Sequence, residues 1–373
     1  FIMKIALIHM RHAKVGGTEL FLNQLSKYLC EQGEEVTVIC RSHEEPSHPN
    51  IKFVQLKPWS LGKAHRAYRF AKAVEKHVAE SDYDIVYALG KTWTHDLIRV
   101  GGGTRKHIVK LRKDQRPTPR DRVSMYIEQK ALTSENNLFV VSNSHKSSTE
   151  IMEDYGVDAN KIATIHNAVD LNRFSRERCA EQVAQLKQKL QLNDQHPIFL
   201  FLGSGYNRKG LEPTLRAFSL LKQQASLVIV GNEQHPQPYK DLAKSLGIED
   251  KCHFLGKQGN PEVFFSMASC YVFPTKYEPF GFTAIEALSS GCPVITTVDC
   301  GAKEVMNDSV STILEKDYTV EKLAEAMTYW AEEAKSDEFR NACRQSVAPL
   351  DVNNIMEMNY QLIKKAWQKK QQK

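Results

Sequence analysis

Two carboxylates eight residues apart frame the segment Glu278-Pro279-Phe280-Gly281-Phe282-Thr283-Ala284-Ile285-Glu286. It follows the apolar run Cys270–Phe273, which reads as a strand, and a helix is predicted from Phe282 to Ser290. The first turn of a helix leaves backbone N–H groups without partners and carries the positive end of the dipole, so an anion is its natural ligand. Gly281, Phe282 and Thr283 would supply those amides, with Phe280 beside them. Glu278, just outside the helix, is placed to accept hydrogen bonds from sugar hydroxyls. Glu286, about a turn and a half inside, is placed to accept from both hydroxyls of a ribose. Two isolated glutamates near a helix start are ordinarily solvated charges. It is the composite with the turn that points to a hexose, a diphosphate and a ribose held in sequence.

A second segment supplies positive charge. The strand candidate Ile198–Leu202 ends in Gly203-Ser204-Gly205-Tyr206-Asn207-Arg208-Lys209-Gly210. A flexible loop with adjacent Arg208 and Lys209 suits a diphosphate, because guanidinium and ammonium neutralise charge developing on a leaving group. The Gly-Lys-Ser/Thr order of a Walker A loop is absent. Near the N-terminus, Gly16-Gly17-Thr18 follows the strand candidate Lys4–Met10. Paired glycines let amides approach an anion, but GxGxxG is missing, which disfavours nicotinamide and flavin. On its own this is equally a tight strand-to-helix turn. After the strand candidate Ile85–Ala88 comes the stretch Gly90 to Gly103, in which His95 or Asp96 could orient an acceptor hydroxyl or a donor sugar. Asp82-Tyr83-Asp84 mimics a DxD metal motif but precedes that strand, on the edge away from ligands.

The elements that position these groups alternate throughout. Further strand candidates are Glu35–Cys40, Ile51–Leu56, Leu138–Val141 and Ile162–Ile165 in the first half. The second half has Leu227–Val230, Cys252–Leu255, Val294–Thr297 and Ser311–Leu314. Helical periodicity separates them, for example over Glu19–Gln32, Val123–Thr133, Leu211–Gln224 and Val320–Glu333. Such alternation implies α/β architecture with parallel sheets covered on both faces. Two series are separated near Asp170–Asp194, where polar residues dominate. The expectation is two doubly wound domains, residues 1–172 and 190–352, facing each other across a cleft. Ligands in such sheets bind beyond the carboxyl ends of the strands.

The 373 residues, 42% hydrophobic and 25% charged, suit two soluble globular cores. No apolar run is long enough to span a bilayer, no signal peptide is evident, and the eight cysteines form no CxxC pair. These features point to the cytosol. The net charge of +6 falls entirely within residues 1–173, and residues 174–373 balance. The excess concentrates in Arg99, Arg105, Lys106, Lys110, Arg112 and Lys113 and their neighbours up to Arg122, and again over Lys57–Lys76 among Trp59, Leu61, Tyr68 and Phe70. Basic residues among aromatics can lie on an anionic membrane surface, hold a phosphorylated acceptor, or form a solvated face. No nucleic-acid-binding pattern accompanies them.

The pattern Glu-Pro-Phe-Gly-x4-Glu-Ala at Glu278–Ala287 resembles the signature of retaining GT-B glycosyltransferases of family 4. The resemblance extends through Gly16-Gly17, Val141-Ser142, Asn167-Ala168-Val169-Asp170, Arg208-Lys209-Gly210, Val230-Gly231, Phe254-Leu255-Gly256 and Gly291-Cys292-Pro293-Val294-Ile295. Members usually carry Asn-Gly-Val-Asp where this chain has Ala168. The resemblance implies two Rossmann-like domains, with the nucleotide held by the second and a last helix, about 353–370, packing back on the first. It assigns Arg208 and Lys209 to the diphosphate, Glu286 to the ribose, Glu278 to the sugar and Gly17 to a phosphate. Gly203 and Gly231 also fall to the donor, and Gly256-Lys257 to the base. Neither a metal nor another cofactor is expected, because Arg208 and Lys209 would do the metal's electrostatic work. The stretch around Asp96 and Gly101-Gly102-Gly103 is similar to bacterial lipopolysaccharide-core glucosyltransferases. That similarity implies transfer of a hexose from UDP-glucose or a UDP-N-acetylhexosamine to a glycan or glycolipid at an anionic membrane. A nucleotide-sugar epimerase or hydrolase of the same fold, and a non-catalytic glycan-binding protein, are the alternatives.

Overall fold

The computed structural model describes residues 1–333 and 336–373, which divide into two compact units. Unit 1 comprises Phe1–His166 and Asn353–Lys373, and unit 2 comprises Asn167–Val352. Among the described residues no helix is long and apolar enough to cross a membrane.

Unit 1 is built on seven parallel strands: β1 (Lys4–Ile8), β2 (Glu35–Cys40), β3 (Lys52–Gln55), β4 (Ile85–Ala88), β5 (Leu97–Val100), β6 (Phe139–Ser142) and β7 (Ile162–Thr164). Their order across the sheet is β3-β2-β1-β4-β5-β6-β7. Central β1 has no polar position after Lys4; Ile5, Ala6, Leu7 and Ile8 are fully buried, as a strand covered on both faces requires. The covering helices are α1 (Gly17–Glu31), α2 (Gly62–Ala79), α3 (Arg105–Lys110), α4 (Pro119–Leu132) and α5 (His145–Tyr155). Helix α4 opens with a full capping box: the Thr118 side chain accepts from Asp121 N–H, and the Asp121 carboxylate accepts from Thr118 N–H, ahead of Pro119 at the first helical position.

Unit 2 follows with α6 (Ala180–Lys189), so the polar stretch expected between domains is itself partly helical. Its six parallel strands are β8 (Ile198–Leu202), β9 (Ser226–Val230), β10 (Cys252–Gly256), β11 (Cys270–Val272), β12 (Val294–Thr297) and β13 (Ser311–Leu314), in the order β10-β9-β8-β11-β12-β13. The helices are α7 (Tyr206–Lys209), α8 (Leu211–Ser219), α9 (Gln237–Ser245), α10 (Pro261–Met267), α11 (Phe282–Ser289), α12 (Val320–Glu333) and α13 (Asp337–Ser346). One core joins Phe199 and Phe201 of β8 and Ile229 of β9 to Leu215 and Phe218 of α8 and to Met327 and Trp330 of α12.

The final helix α14 (Val352–Gln371) belongs almost wholly to unit 1. Its apolar face buries Ile355, Met356, Tyr360, Ile363 and Ala366. Polar anchors fix it: Tyr87 Oη donates to Asn359 Oδ1 at 3.0 Å, Tyr360 Oη donates to Glu34 Oε1 at 2.8 Å, and Tyr28 donates to Glu357.

Candidate functional site

At the carboxyl edge of the unit 2 sheet, β8 runs into Gly203 and β9 into Gly231. A Cβ on Gly231 would lie 2.0 Å from the Gly203 carbonyl oxygen, so the two turns touch backbone to backbone. The next turn carries α7, capped by Gly205 and Gly210, both with positive φ. This single turn presents Arg208 and Lys209 to one carboxylate: Arg208 Nη1 lies 2.6 Å and Lys209 Nζ 2.5 Å from Glu278 Oε1. Arg208 also donates to the Tyr277 carbonyl at 2.8 Å. Glu278 is 9% exposed, and its backbone pairs with the next loop through Glu278 N–H to Asp299 O and Gly301 N–H to Glu278 O, each 3.0 Å. Gly281 then caps α11 at φ +89, where a Cβ would meet Cys300 Sγ at 2.8 Å. Behind the first turn, the Tyr271 hydroxyl lies 2.9 Å from Leu202 O and 3.0 Å from the Thr283 hydroxyl.

Glu286 occupies the second turn of α11. Burial pushes its pKa up to about 8, Arg173 opposing the shift and Glu262 adding to it, while the side chain keeps partial access to solvent. The assembly therefore offers a helix N-terminus, two cations converging on one acid, and a second acid poised to trade a proton. That combination suits a sugar diphosphate carrying a ribose.

Unit 1 presents a different site at the carboxyl ends of β1, β4 and β5. Here a cavity of about 770 Å³ is lined by His9, Glu19, Lys91, Arg99, Gly101 and residues of α2 and α4. Gly16, at φ +121, caps α1, and the Glu19 carboxylate folds back over it. Glu19 Oε1 lies 3.6 Å from His9 Nε2 and 3.9 Å from Arg11 Nη1. Burial lowers the His9 pKa; Glu19 opposes this, while Lys91 and Arg11 act with it.

Two family models cover most of the chain: "Glycosyltransferase Family 4" matches residues 15–173, and "Glycosyl transferases group 1" matches residues 182–347. The chain belongs to the family 4 glycosyltransferases of the GT-B fold. It is similar to an uncharacterised glycosyltransferase of Methanocaldococcus jannaschii, 25% identical with 83% of this chain and 84% of that protein aligned. It is also similar to the lipopolysaccharide glucosyltransferase WaaG of Escherichia coli K12, 21% identical over 87% and 88% of the two chains. The solved structure of WaaG superimposes with a TM-score of 0.78 at 19% identity, covering 96% of this chain and 99% of that one. Anabaena HepE in complex with UDP and glucose gives 0.71 at 19% identity, covering 97% and 100%.

In this family 4 glycosyltransferase the structure brings Gly203, Arg208, Lys209, Gly231, Glu278, Phe280, Gly281, Phe282, Thr283 and Glu286 to one edge of one sheet. Gly256 ends β10 on the same edge, its carbonyl accepting from Gly231 N–H at 2.9 Å, with Lys257 exposed beyond it. Arg208 and Lys209 sit in a helical turn, not the flexible loop expected. In unit 1, Gly17 is the first residue of α1, and the helix N-terminus already faces the Glu19 carboxylate.

Three expectations are corrected. Gly90 to Gly103 is not one ligand-edge loop, because it contains β5. Asp96 precedes that strand and so lies at the amino edge, where its carboxylate accepts from Val86 N–H at 2.8 Å and from Lys370 Nζ at 3.1 Å. His95 is 7% exposed and does not line the cavity; burial lowers its pKa to about 4, with Asn137 and the Ala131 carbonyl acting in the opposite direction. Asp96 ties the start of β4 to α14, and neither residue lies at the carboxyl edge of the sheet. Arg99, expected in a surface stripe, lies within β5, 7% exposed, its guanidinium 3.9 Å from the Phe21 ring centre. Of the other basic residues in that stripe, Lys106 donates to Asp154 O at 2.7 Å, Lys110 pairs with the Asp154 carboxylate, and Arg112 pairs with Asp121 at 2.5 Å. Arg105 lies 3.8 Å from Asp121, and Lys113 remains exposed. The stripe is therefore partly neutralised from within. Asp82 and Asp84 sit at the amino edge, where Asp84 accepts from Lys4 N–H and Asp82 pairs with Lys4 Nζ. His9 and Glu19 are not singled out by the sequence reading, although a polar residue directly after a parallel strand was the available signal.

Proposed function

We propose that this family 4 glycosyltransferase moves a hexosyl group from a nucleoside diphosphate sugar to a glycan or glycolipid acceptor with retention at the anomeric carbon and without a metal ion. The observation that carries the reading is the convergence of Arg208 and Lys209 on Glu278 at the N-terminus of α11, with Glu286 on its second turn. The two cations and the helix amides would hold the diphosphate, Glu278 the sugar hydroxyls, and Glu286 the ribose. Leaving-group charge then develops against preorganised cations. No side chain of unit 2 stands out as a nucleophile among the described residues, so we favour displacement on one face, the leaving phosphate oxygen taking the acceptor proton. A uridine donor, UDP-glucose first, is supported by the likeness to HepE, whose structures were solved with UDP and glucose and with UDP-glucose. The similarity to WaaG supports an acceptor of lipopolysaccharide-core type. The location this reading implies is the cytoplasm, with exposed Trp59, Leu61, Leu111 and Tyr126 and nearby basic residues toward an anionic membrane.

The test is a screen of UDP, GDP and ADP sugars for thermal stabilisation, followed by turnover with and without core acceptor. Stabilisation by one nucleotide that Arg208→Ala and Glu286→Ala each weaken, with product formed only when acceptor is present, is the expected result. Product without acceptor would replace transfer with hydrolysis or epimerisation. Activity should survive exhaustive chelation with EDTA; a loss restored by divalent metal would refute the metal-free mechanism.

A further inference from the structure

Helix α6, the first of unit 2, has no buried side chain, and it packs against α10. Ala180, Val183, Ala184 and Lys187 recur at i, i+3, i+4 and i+7, so they share one helix face. The two alanines on that face are too short to close the space it borders. A cleft of about 560 Å³ remains, lined by this face, by Arg176 before it, by Leu192 after it and by Ser266 of α10. Its volume lies within the range of small-molecule sites. Ser266 belongs to the last turn of α10, which leads into the amino end of β11. This end of the cleft therefore lies at the sheet edge opposite Glu278.

Two groups on the wall lack the partners that a folded chain normally supplies. Ser266 is 1% exposed, yet its Oγ has no hydrogen-bond partner among the described residues. A helical serine commonly donates to the carbonyl four residues back, and buried polar atoms are nearly always paired, so a hydroxyl left open here points to a polar ligand. Arg176 has no carboxylate within ion-pair distance among the described residues, and Asp337 acts on it only from further away. The other charges of the wall cancel, because Lys187 Nζ lies 3.2 Å from Asp194 Oδ1. Arg340, close by, adds to the positive field. Its Nη1 donates to Gly291 O at 3.3 Å and to Ala268 O at 3.4 Å, while its buried Nε has no partner among the described residues. Burial lowers the Arg340 pKa to about 10, and the Arg176 guanidinium adds to the shift, with Cys292, Cys343 and Asp337 opposing. The cleft is thus apolar along α6, neutral at Lys187 and positive at Arg176.

We propose that the cleft between α6 and α10 binds a small amphipathic anion, its head group held by Arg176 and the Ser266 hydroxyl and its apolar body lying along Ala180, Val183, Ala184 and Leu192. A free guanidinium matches a phosphate or carboxylate head, and the alanine face matches a hydrocarbon body of a few carbons. The site is separate from the helix N-terminus at Gly281, and it stands whether or not the glycosyl-transfer reading holds.

Calorimetric titration of the full chain with hexyl phosphate, inorganic phosphate and hexanol tests the idea, with UDP titrated in parallel. Hexyl phosphate should bind at least roughly tenfold more tightly than either inorganic phosphate or hexanol, because only it offers both parts. Arg176→Gln should remove the advantage over hexanol, and Ser266→Ala should weaken hexyl phosphate without lowering the thermal midpoint of the free chain. Ala184→Trp, which fills the cleft, should abolish hexyl phosphate binding. UDP affinity should stay unchanged in all three variants, showing that unit 2 is folded. Equal binding of the three probes, or a preference for hexyl phosphate that Arg176→Gln and Ala184→Trp leave untouched, would overturn the proposal. So would vesicles of phosphatidylglycerol being bound through Arg176 while hexyl phosphate is not. Failure of UDP to bind the native chain would instead strike the donor reading, leaving the cleft to be judged on its own titration.

Discussion

On the proposed reading of the donor site, Glu286 couples nucleotide binding to protons. Its carboxyl titrates near pH 8 in the folded chain against 4.5 ordinarily, so between those values the folded protein keeps a proton that the unfolded chain has released. Stability of the ligand-free protein must therefore decline as pH rises through this window, and Glu286→Gln should flatten the decline. If ribose hydroxyls donate to the ionised carboxylate, UDP binding at pH 7 releases a proton. Calorimetry in buffers of different ionisation enthalpy should register that release in the native chain and not in Glu286→Gln; identical apparent enthalpies in all buffers would remove Glu286 from the ribose. Gly231 makes a steric prediction. Its φ of +142 and the 2.0 Å approach of a Cβ to the Gly203 oxygen leave no room for a methyl group. Gly231→Ala should lower stability by roughly 2–4 kcal/mol in denaturant titration and weaken UDP binding together with it.

At the scale of elements, short runs rich in β-branched and apolar residues are legible. Ile198–Leu202, Val294–Thr297 and Ser311–Leu314 can be read with their observed boundaries because each is such a run between segments of different character. Strand β5 is not legible. It has four residues, one of them a buried arginine, and three glycines follow it. Nothing local shows that Phe21, far away in sequence, will cover the guanidinium. Without that strand, His95 and Asp96 fall to the wrong edge of the sheet. The Glu278–Glu286 segment is legible because its chemistry is local to one strand–turn–helix; the cavity is not, because its wall is assembled from the turns after β1 and β4 and from β5, α1, α2 and α4. His95 also gives the element a pH signature. With its pKa lowered from 6.5 to about 4 by burial, the unfolded chain binds the extra proton first. Stability is full above pH 6.5 and is lost as pH falls toward 4, by on the order of 2–3 kcal/mol. His95→Gln should flatten this acid limb in urea titrations; an unchanged slope would show that His95 is not buried neutral.

For the whole molecule, the +6 charge read from the sequence belongs to the segment that forms most of unit 1, and the structure divides it between internal ion pairs and the cavity wall. Unit 1 depends on α14 for part of its core. Ile363 is fully buried there, and Ile363→Ala should cost roughly 2–4 kcal/mol. Because that residue lies in unit 1, UDP should still bind the folded variant with native affinity, and a calorimetric scan should show the loss confined to one transition. The chain path adds a temporal consequence. Unit 2 is one continuous segment, its two ends joined by the hydrogen bond from Val169 N–H to Leu350 O at 2.9 Å, whereas unit 1 is drawn from both sides of it. A ribosome delivers unit 2 whole before it delivers the helix that Tyr28, Tyr87 and Asp96 await. During synthesis unit 1 is therefore the last to be finished, and on the reading proposed above a nascent chain would hold its nucleotide before it has a completed place for anything to receive the sugar.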